Sequence, residues 1–351
     1  MSNITIADVA RKAKVSLSTA SYALNNKPGV GEKTKARILK IAKELNYSPN
    51  TMASTLKRSS FNILISLPSL TEGYQYFFSY IYEGIKAYIK ELSEYKINLI
   101  FTPYNPSVYQ DQSKTIEQVI KDNNIDGIIT NDQNDESAKE LLSSLYLKGI
   151  EIVYVGGNNE EINKLAFVAP HYFITGTTIA QLITSNIKEM DKILILCGYK
   201  NDISHYQVVH GFKHYLAQYN YNNPIVQLYS DDGEDDQLLR LLATGESIKA
   251  CCSVGARVTN KLGKVLSNLD RKLYAVGSDL FTESRHFLEE GIFDAIIQKN
   301  PYKAAYFATQ ILCNKIIKNQ KPKQSTYYTA AEIIIKSNLP LYLEGPDKVI
   351  F

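Results

Sequence analysis

From Asn62 onward, short apolar runs alternate with longer amphipathic stretches, and no other feature narrows the possible folds as far. Runs of strand length occur at Ile63–Leu67, Ile97–Phe101, Gly127–Thr130, Ile152–Val155, Ile193–Leu196, Ala250–Val254, Leu273–Gly277 and Ala295–Ile297. Helical stretches lie between them, among them Tyr80–Leu92, Thr115–Lys121, Lys139–Leu147, Gly176–Ile187, Val208–Gln218 and Tyr302–Ile317. This β-α alternation predicts parallel sheets covered by helices. More than 280 residues exceed what one sheet comfortably holds, so the pattern predicts an α/β body of two lobes with a cleft.

Open α/β sheets bind ligands beyond the carboxyl ends of their strands. Those ends single out Asn131, Arg257, Asp279 and Gln298, with Tyr76, Phe77 and Phe78 following the first strand. Two amides, one acid, one Arg and several aromatics suit a polyhydroxylated ring. The acid and Arg engage vicinal hydroxyls, and the aromatic faces cover the C–H side. Plainer roles stay open for the same residues: Asp279 could cap the next helix, Gln298 could satisfy backbone, and Phe77 or Phe78 could be core.

Residues 1–60 have a different texture. Eleven Lys and Arg stand against three acids there, a net +8, whereas the remainder carries −5. A basic head on a mildly acidic body points to a polyanionic partner for the head. Thr5 can cap a helix with Asp8 in its first turn and Ile6, Val9 and Ala10 on one stripe. Ser16 caps a second, Leu17–Leu24, with Ala20, Ala23 and Leu24 inward, and the turn-rich Asn25-Asn26-Lys27-Pro28-Gly29 stops it. A third runs from Glu32 with Ile38, Ile41, Ala42 and Leu45 on one face. Two short helices joined tightly and buttressed by a third form a helix-turn-helix unit.

On these residues the chain resembles the LacI/GalR family of bacterial transcription regulators. The match runs through ITIADVARKAKVSLSTASYALNN at 4–26, TKARI at 34–38 and LNYSPNTMASTL at 45–56. The resemblance implies base reading by Leu17, Ser18 and Tyr22, where Tyr22 replaces a frequent Arg. It implies phosphate contacts from Ser16, Thr19, Ser21, Asn25, Thr34, Tyr47 and Asn50. It further implies a hinge helix near 51–57, with Met52, Ala53 and Leu56 at the minor groove and Leu56 as the wedge. In the body, GSDLFTES at 277–284, IIQKNPYKAAY at 296–306 and YFF at 76–78 resemble the sugar-binding branch of the periplasmic-binding-protein-like type I fold. Val208 stands where that branch has Arg, and Pro170-His171-Tyr172 where Asp-Asn is usual.

The expected organisation is a small all-α head followed by two doubly wound, Rossmann-like α/β lobes. Its expected domains are a helix-turn-helix domain at 1–48, hinge and linker at 49–60, a first lobe at 61–160 plus 292–324, and a second at 161–291 plus 325–351. The three crossings between lobes are expected near 158–164, 291–294 and 322–328. No run approaches the roughly 18 apolar residues of a membrane span, and the start lacks the apolar core of a secretory signal. Cys197, Cys251, Cys252 and Cys313 show no metal spacing, so reduced thiols and the cytoplasm are expected. His205, His210 and His214 lack a third-ligand pattern, and the acidic run Asp231–Asp236 lacks the spacing of a calcium loop. No phosphate loop, nucleophile elbow or zinc-protease motif occurs. The expected function is therefore non-enzymatic and without cofactor: a regulator, in all expectation a repressor, binding double-stranded operator DNA as a homodimer and controlled by a sugar-like effector. A solute-binding protein without a DNA role is the alternative.

Overall fold

The computed structural model describes residues 4–24, 29–45, 47, 60–131, 135–157, 163–200, 202–229, 238, 240–242, 244 and 247–342. The chain divides into two compact units, Met1–Ser59 and Ser60–Phe351. In the first, α1 (Ile6–Ala13), α2 (Leu17–Leu24) and α3 (Glu32–Glu44) pack around Val9, Ala13, Ala23, Ile38 and Ala42. Small residues at Ala20 and Ala23 let α2 approach its neighbours closely. A capping box starts α1: the Thr5 N–H and hydroxyl donate to Asp8 Oδ2 at 2.9 and 2.7 Å. The Ser16 hydroxyl caps α2 by accepting from the Thr19 N–H at 3.1 Å. The expected hinge with Met52, Ala53 and Leu56, together with Asn25, Asn50 and the acidic run Asp231–Asp236, lies outside the described residues.

The second unit holds two six-stranded sheets. Its first lobe contains β1 (Phe61–Ser66), β2 (Ile97–Phe101), β3 (Gly127–Thr130), β4 (Glu151–Val155), β5 (Ala166–Pro170) and β11 (Thr326–Thr329). They lie in the order β11-β5-β4-β3-β1-β2, and every pairing is parallel. Helices α4 (Gln75–Glu91), α5 (Asp111–Asp122), α6 (Glu136–Leu147) and α11 (Pro301–Lys318) belong to this lobe. Strand β3 is buried on both faces, as a parallel sheet covered by helices requires. The second lobe contains β6 (Lys192–Leu196), β7 (Ile225–Leu228), β8 (Ile248–Ser253), β9 (Tyr274–Ser278), β10 (Ala295–Gln298) and β12 (Glu332–Ile334). Their order is β12-β10-β9-β8-β6-β7, with β12 alone antiparallel. Its helices are α7 (Tyr172–Thr184), α8 (Ile203–Gln218), α9 (Ala256–Leu266) and α10 (Thr282–Glu289).

The crossings depart from the expected places. Strand β5 still belongs to the first sheet, so the chain leaves that lobe after Pro170 rather than near 158–164. Strand β10 belongs to the second sheet, so the return falls at Lys299-Asn300 rather than at 291–294. The last crossing lies between β11 and β12, at Ala330-Ala331, not at 322–328. Each error has one cause: the chain finishes a strand before it crosses. The strands that hid this are short, and β11 is a half-exposed edge. Thr329 Oγ1 donates to the Lys299 carbonyl at 3.3 Å and Asn300 Nδ2 to that of Ala330 at 3.2 Å, lacing two of the crossings together.

Candidate functional site

Two regions carry the candidate residues. In the head, α2 turns Ala20 and Ala23 inward, which leaves Leu17 and Tyr22 about half exposed on the other side, with Ser16 and Ser18 also exposed. Two large, partly apolar side chains held outward on a small basic domain are what a groove-reading helix presents. Thr19, Ser21, Thr34 and Tyr47 are half-buried, and Tyr47 packs against the head's core. The Ser16 hydroxyl also lies 2.7 Å from Thr19 Oγ1 and 2.8 Å from Ser18 Oγ, so it acts locally as a cap. Arg11, Lys12, Lys14, Lys33, Arg37, Lys40 and Lys43 are all exposed.

The second region is a cavity of about 590 Å³ between the lobes, at the carboxyl ends of both sheets. Of the seven residues expected there, Phe77, Phe78, Asn131, Arg257 and Asp279 line it. Tyr76 and Gln298 do not. Gln298 lies at the end of β10, where Oε1 accepts from the Leu280 N–H at 2.9 Å: it satisfies backbone. Its neighbour Lys299 enters the cavity instead, because successive side chains at a strand end point to opposite sides. Sequence reasoning passed over Lys299, and also Tyr172, Tyr199, Asp202 and His205, which enter from the starts of α7 and α8. The strand-to-helix rule that found Arg257 finds Tyr172 once β5 is placed, and it already reached the residues beyond β6 and β10, strands that the sequence shows. Val208 is buried where α8 meets α7 and lies outside the cavity.

Asp279 is the cavity's most constrained group. It follows β9 with φ 66°, a left-handed conformation that Asp tolerates better than most residues. Its Oδ2 lies 2.9 Å from Lys299 Nζ, with both side chains almost wholly buried (2% and 4% exposed). Burial pushes the Asp279 carboxyl up, and the Lys299 ammonium pulls against it. Lys299 Nζ also donates to the Val254 carbonyl at 3.1 Å and lies 5.8 Å from the centre of the Phe77 ring. His205 Nδ1 stands 3.4 Å from Asp202 Oδ2. Burial holds its imidazole below the usual histidine range, and the nearby Lys299 and Arg257 cations add to that against the pull of Asp202. His205 is thus neutral at neutral pH. Burial raises the Tyr74 hydroxyl to about 12 and lifts that of Tyr172 as well, so both stay protonated donors.

Tyr76 serves elsewhere. Its hydroxyl accepts from Asn260 Nδ2 at 2.8 Å, and its ring lies 4.7 Å from that of Phe281. Since α4 belongs to the first lobe and Asn260 and Phe281 to the second, this residue ties the lobes beside the cavity mouth. Tyr76→Phe should cost about 1 kcal/mol in urea unfolding, the worth of one such hydrogen bond. Tyr76→Ala, which also loses the ring contact, should cost clearly more; equal losses would deny the ring contact any part, and an unchanged Tyr76→Phe would deny the hydroxyl one.

Comparison with known proteins follows the same division. The family described as "Periplasmic binding protein domain" matches residues 66–321, and "Bacterial regulatory proteins, lacI family" matches residues 5–50. The Probable HTH-type transcriptional repressor ExuR of Bacillus subtilis (strain 168) is 41% identical over 90 residues, 25% of this chain and 27% of that protein. The chain thus spans about a quarter of the length of this curated relative. Among solved structures, a protein assigned as a LacI transcriptional regulator from Bacteroides fragilis superposes with a TM-score of 0.73. It is 19% identical, covering 81% of this chain and 100% of its own. An ABC transporter solute binding protein from Burkholderia graminis C4D1M, in complex with D-arabinose, gives a TM-score of 0.72 at 17% identity. That match covers 80% of this chain and 97% of the other. At such identities the likeness establishes the two-lobed fold. Among the described residues, no helix is long and apolar enough to cross a membrane.

Proposed function

We propose that this chain, which belongs to the periplasmic binding protein domain family over 66–321 and to the lacI family of bacterial regulatory proteins over 5–50, is a sequence-specific transcriptional repressor controlled by a small molecule. One observation carries the reading: a basic helix-turn-helix head and a two-lobed, ligand-sized cavity occur in one polypeptide. In this reading α2 enters the major groove with its N-terminal residues on base edges. Leu17 offers apolar contact to a thymine methyl, Ser18 donates or accepts, and Tyr22 reads a third position. Ser16, Thr19, Ser21, Asn25, Thr34, Tyr47 and Asn50 hold phosphates, which sets register rather than sequence. Met52, Ala53 and Leu56 form the minor-groove element, with Leu56 as wedge. One head reads half a site, so the working species is a homodimer in the cytoplasm on a two-fold operator.

The effector is a sugar or sugar derivative that fills the cavity against Phe77, Phe78 and Asn131 and reaches Arg257 and Asp279. It stabilises one setting of the lobes, and a shift in that equilibrium changes DNA affinity by the same factor as DNA changes effector affinity. The reading assigns no catalytic step and no cofactor. The test is selection of bound duplexes from a random library by the full chain, followed by filter binding at increasing salt. The selected duplex should show two-fold symmetry, and affinity should fall about 10³-fold or more between 50 and 200 mM salt. Removing residues 1–60 should abolish binding. Undiminished affinity in the truncated chain would overturn the reading.

A further inference from the structure

Among the described residues, five charged side chains line the cavity: Asp135, Asp202, Asp279, Arg257 and Lys299. Two of these acids cap helices, and the third stands beside a lysine although neither of its carboxylate oxygens has a hydrogen-bond partner among the described residues. Asp135 caps α6, accepting from the Ser137 and Ala138 N–H groups. Asp202 caps α8 in the same way, accepting from Ser204 and His205. The partial positive charge of each helix start offsets these two carboxylates. Asp279 faces Lys299.

Arg257 has no such partner among the described residues. Its guanidinium carbon lies 4.1 Å from the centre of the Tyr199 ring. Its Nη2, shielded from solvent, has no hydrogen-bond partner among the described residues. A guanidinium N–H kept from water without an acceptor is costly, and an ion is its most favourable acceptor. The backbone adds to this: Arg257 is the second residue of α9, whose N-cap Gly255 supplies no side-chain cap, and Gly255 and Ala256 also line the cavity. His205, beside the same groups, brings no counter-charge, since an imidazole is either neutral or cationic.

We propose that the ligand of this cavity carries an anionic group, a carboxylate or a phosphate, received by the Arg257 guanidinium at the start of α9. The aromatic wall of Tyr74, Phe77 and Tyr172 covers the remainder of the ligand. The inference rests on the reading of the cavity as the effector site and specifies the class of effector. A planar fork receives two oxygens of one anion in parallel, which a neutral hydroxyl cannot reproduce.

The experiment uses the full chain with D-glucose, D-galactose, their uronates and their 6-phosphates, followed by thermal unfolding and calorimetric titration. At least one charged compound should raise the unfolding midpoint while its neutral parent does not. Whether uronate or phosphate succeeds identifies the anion. Arg257→Gln should weaken that compound about 30-fold or more, as expected for loss of one partner of a buried charge pair. Arg257→Lys, which keeps the charge without the fork, should fall between. The midpoint of each variant without ligand reads its folding separately. Neutral sugars binding better than their acids, no charged compound binding, or an undiminished Arg257→Gln would each overturn the proposal. A charged compound that binds but leaves affinity for the selected duplex unchanged would support this site and overturn the switch described above.

Discussion

Asp279→Ala should lower the stability of the body by about 3–5 kcal/mol, the range measured when one partner of a buried ion pair is removed. The substitution leaves the Lys299 ammonium buried at 4% exposure with the Val254 carbonyl and the Ser278 hydroxyl, the latter 3.4 Å away, as its remaining acceptors. Neither carries the negative charge that offset its desolvation. The loss should appear as a lower urea midpoint with little change in slope. Adding Lys299→Met to Asp279→Ala should restore most of it, since an apolar pair of similar volume is often as stable as the ions it replaces. Additive losses in the double variant would show that the two side chains do not act as a pair. From sequence alone, Asp279 is a ligand-binding acid whose removal silences the effector response. The structure adds that this carboxylate first neutralises a lysine, so a missing response in Asp279→Ala must be read beside its unfolding curve.

Gly211→Ala should cost about 3 kcal/mol, at the upper end of overpacking losses. Helices α7 and α8 approach so closely that each glycine lies against the other helix's backbone. A methyl at Gly211 would meet the Phe173 carbonyl, and one at Gly176 would meet that of Val208. Backbone cannot rotate away as a side-chain tip can, so the helices must separate. Their first turns carry Tyr172, Asp202 and His205 into the cavity, so effector affinity should fall together with stability. A Gly211→Ala variant that unfolds within 0.5 kcal/mol of the parent would refute the close approach.

The head was legible because its signals are local. A capping residue, small residues at Ala20 and Ala23, and an apolar stripe through Ile38 and Ala42 each act within a few positions of one another. The eight main strands of the body were legible for the same reason, as was the rule that strand ends face a ligand. Strands β5, β7, β11 and β12 were not. The last two are edge strands of three or four residues without apolar alternation, and β5 is a continuous apolar run that periodicity does not separate from its surroundings. Missing β5 shifted the first crossing, and giving β10 to the first lobe shifted the second. Ending β10 at Ile297 assigned Gln298 the place that Lys299 occupies.

The amino-acid order by itself determined which face of each helix and strand is apolar, and with it the separation of a basic helical reader from an α/β receptor. Side-chain periodicity is a property of one element and needs no partner. Tertiary structure alone decided that Asp279 meets Lys299, that Arg257 Nη2 meets no acceptor among the described residues, and that Tyr76 ties the lobes instead of lining the cavity. Those outcomes depend on strand order and on how two lobes face each other. Charges twenty or more residues apart interact according to distances that local patterning leaves open.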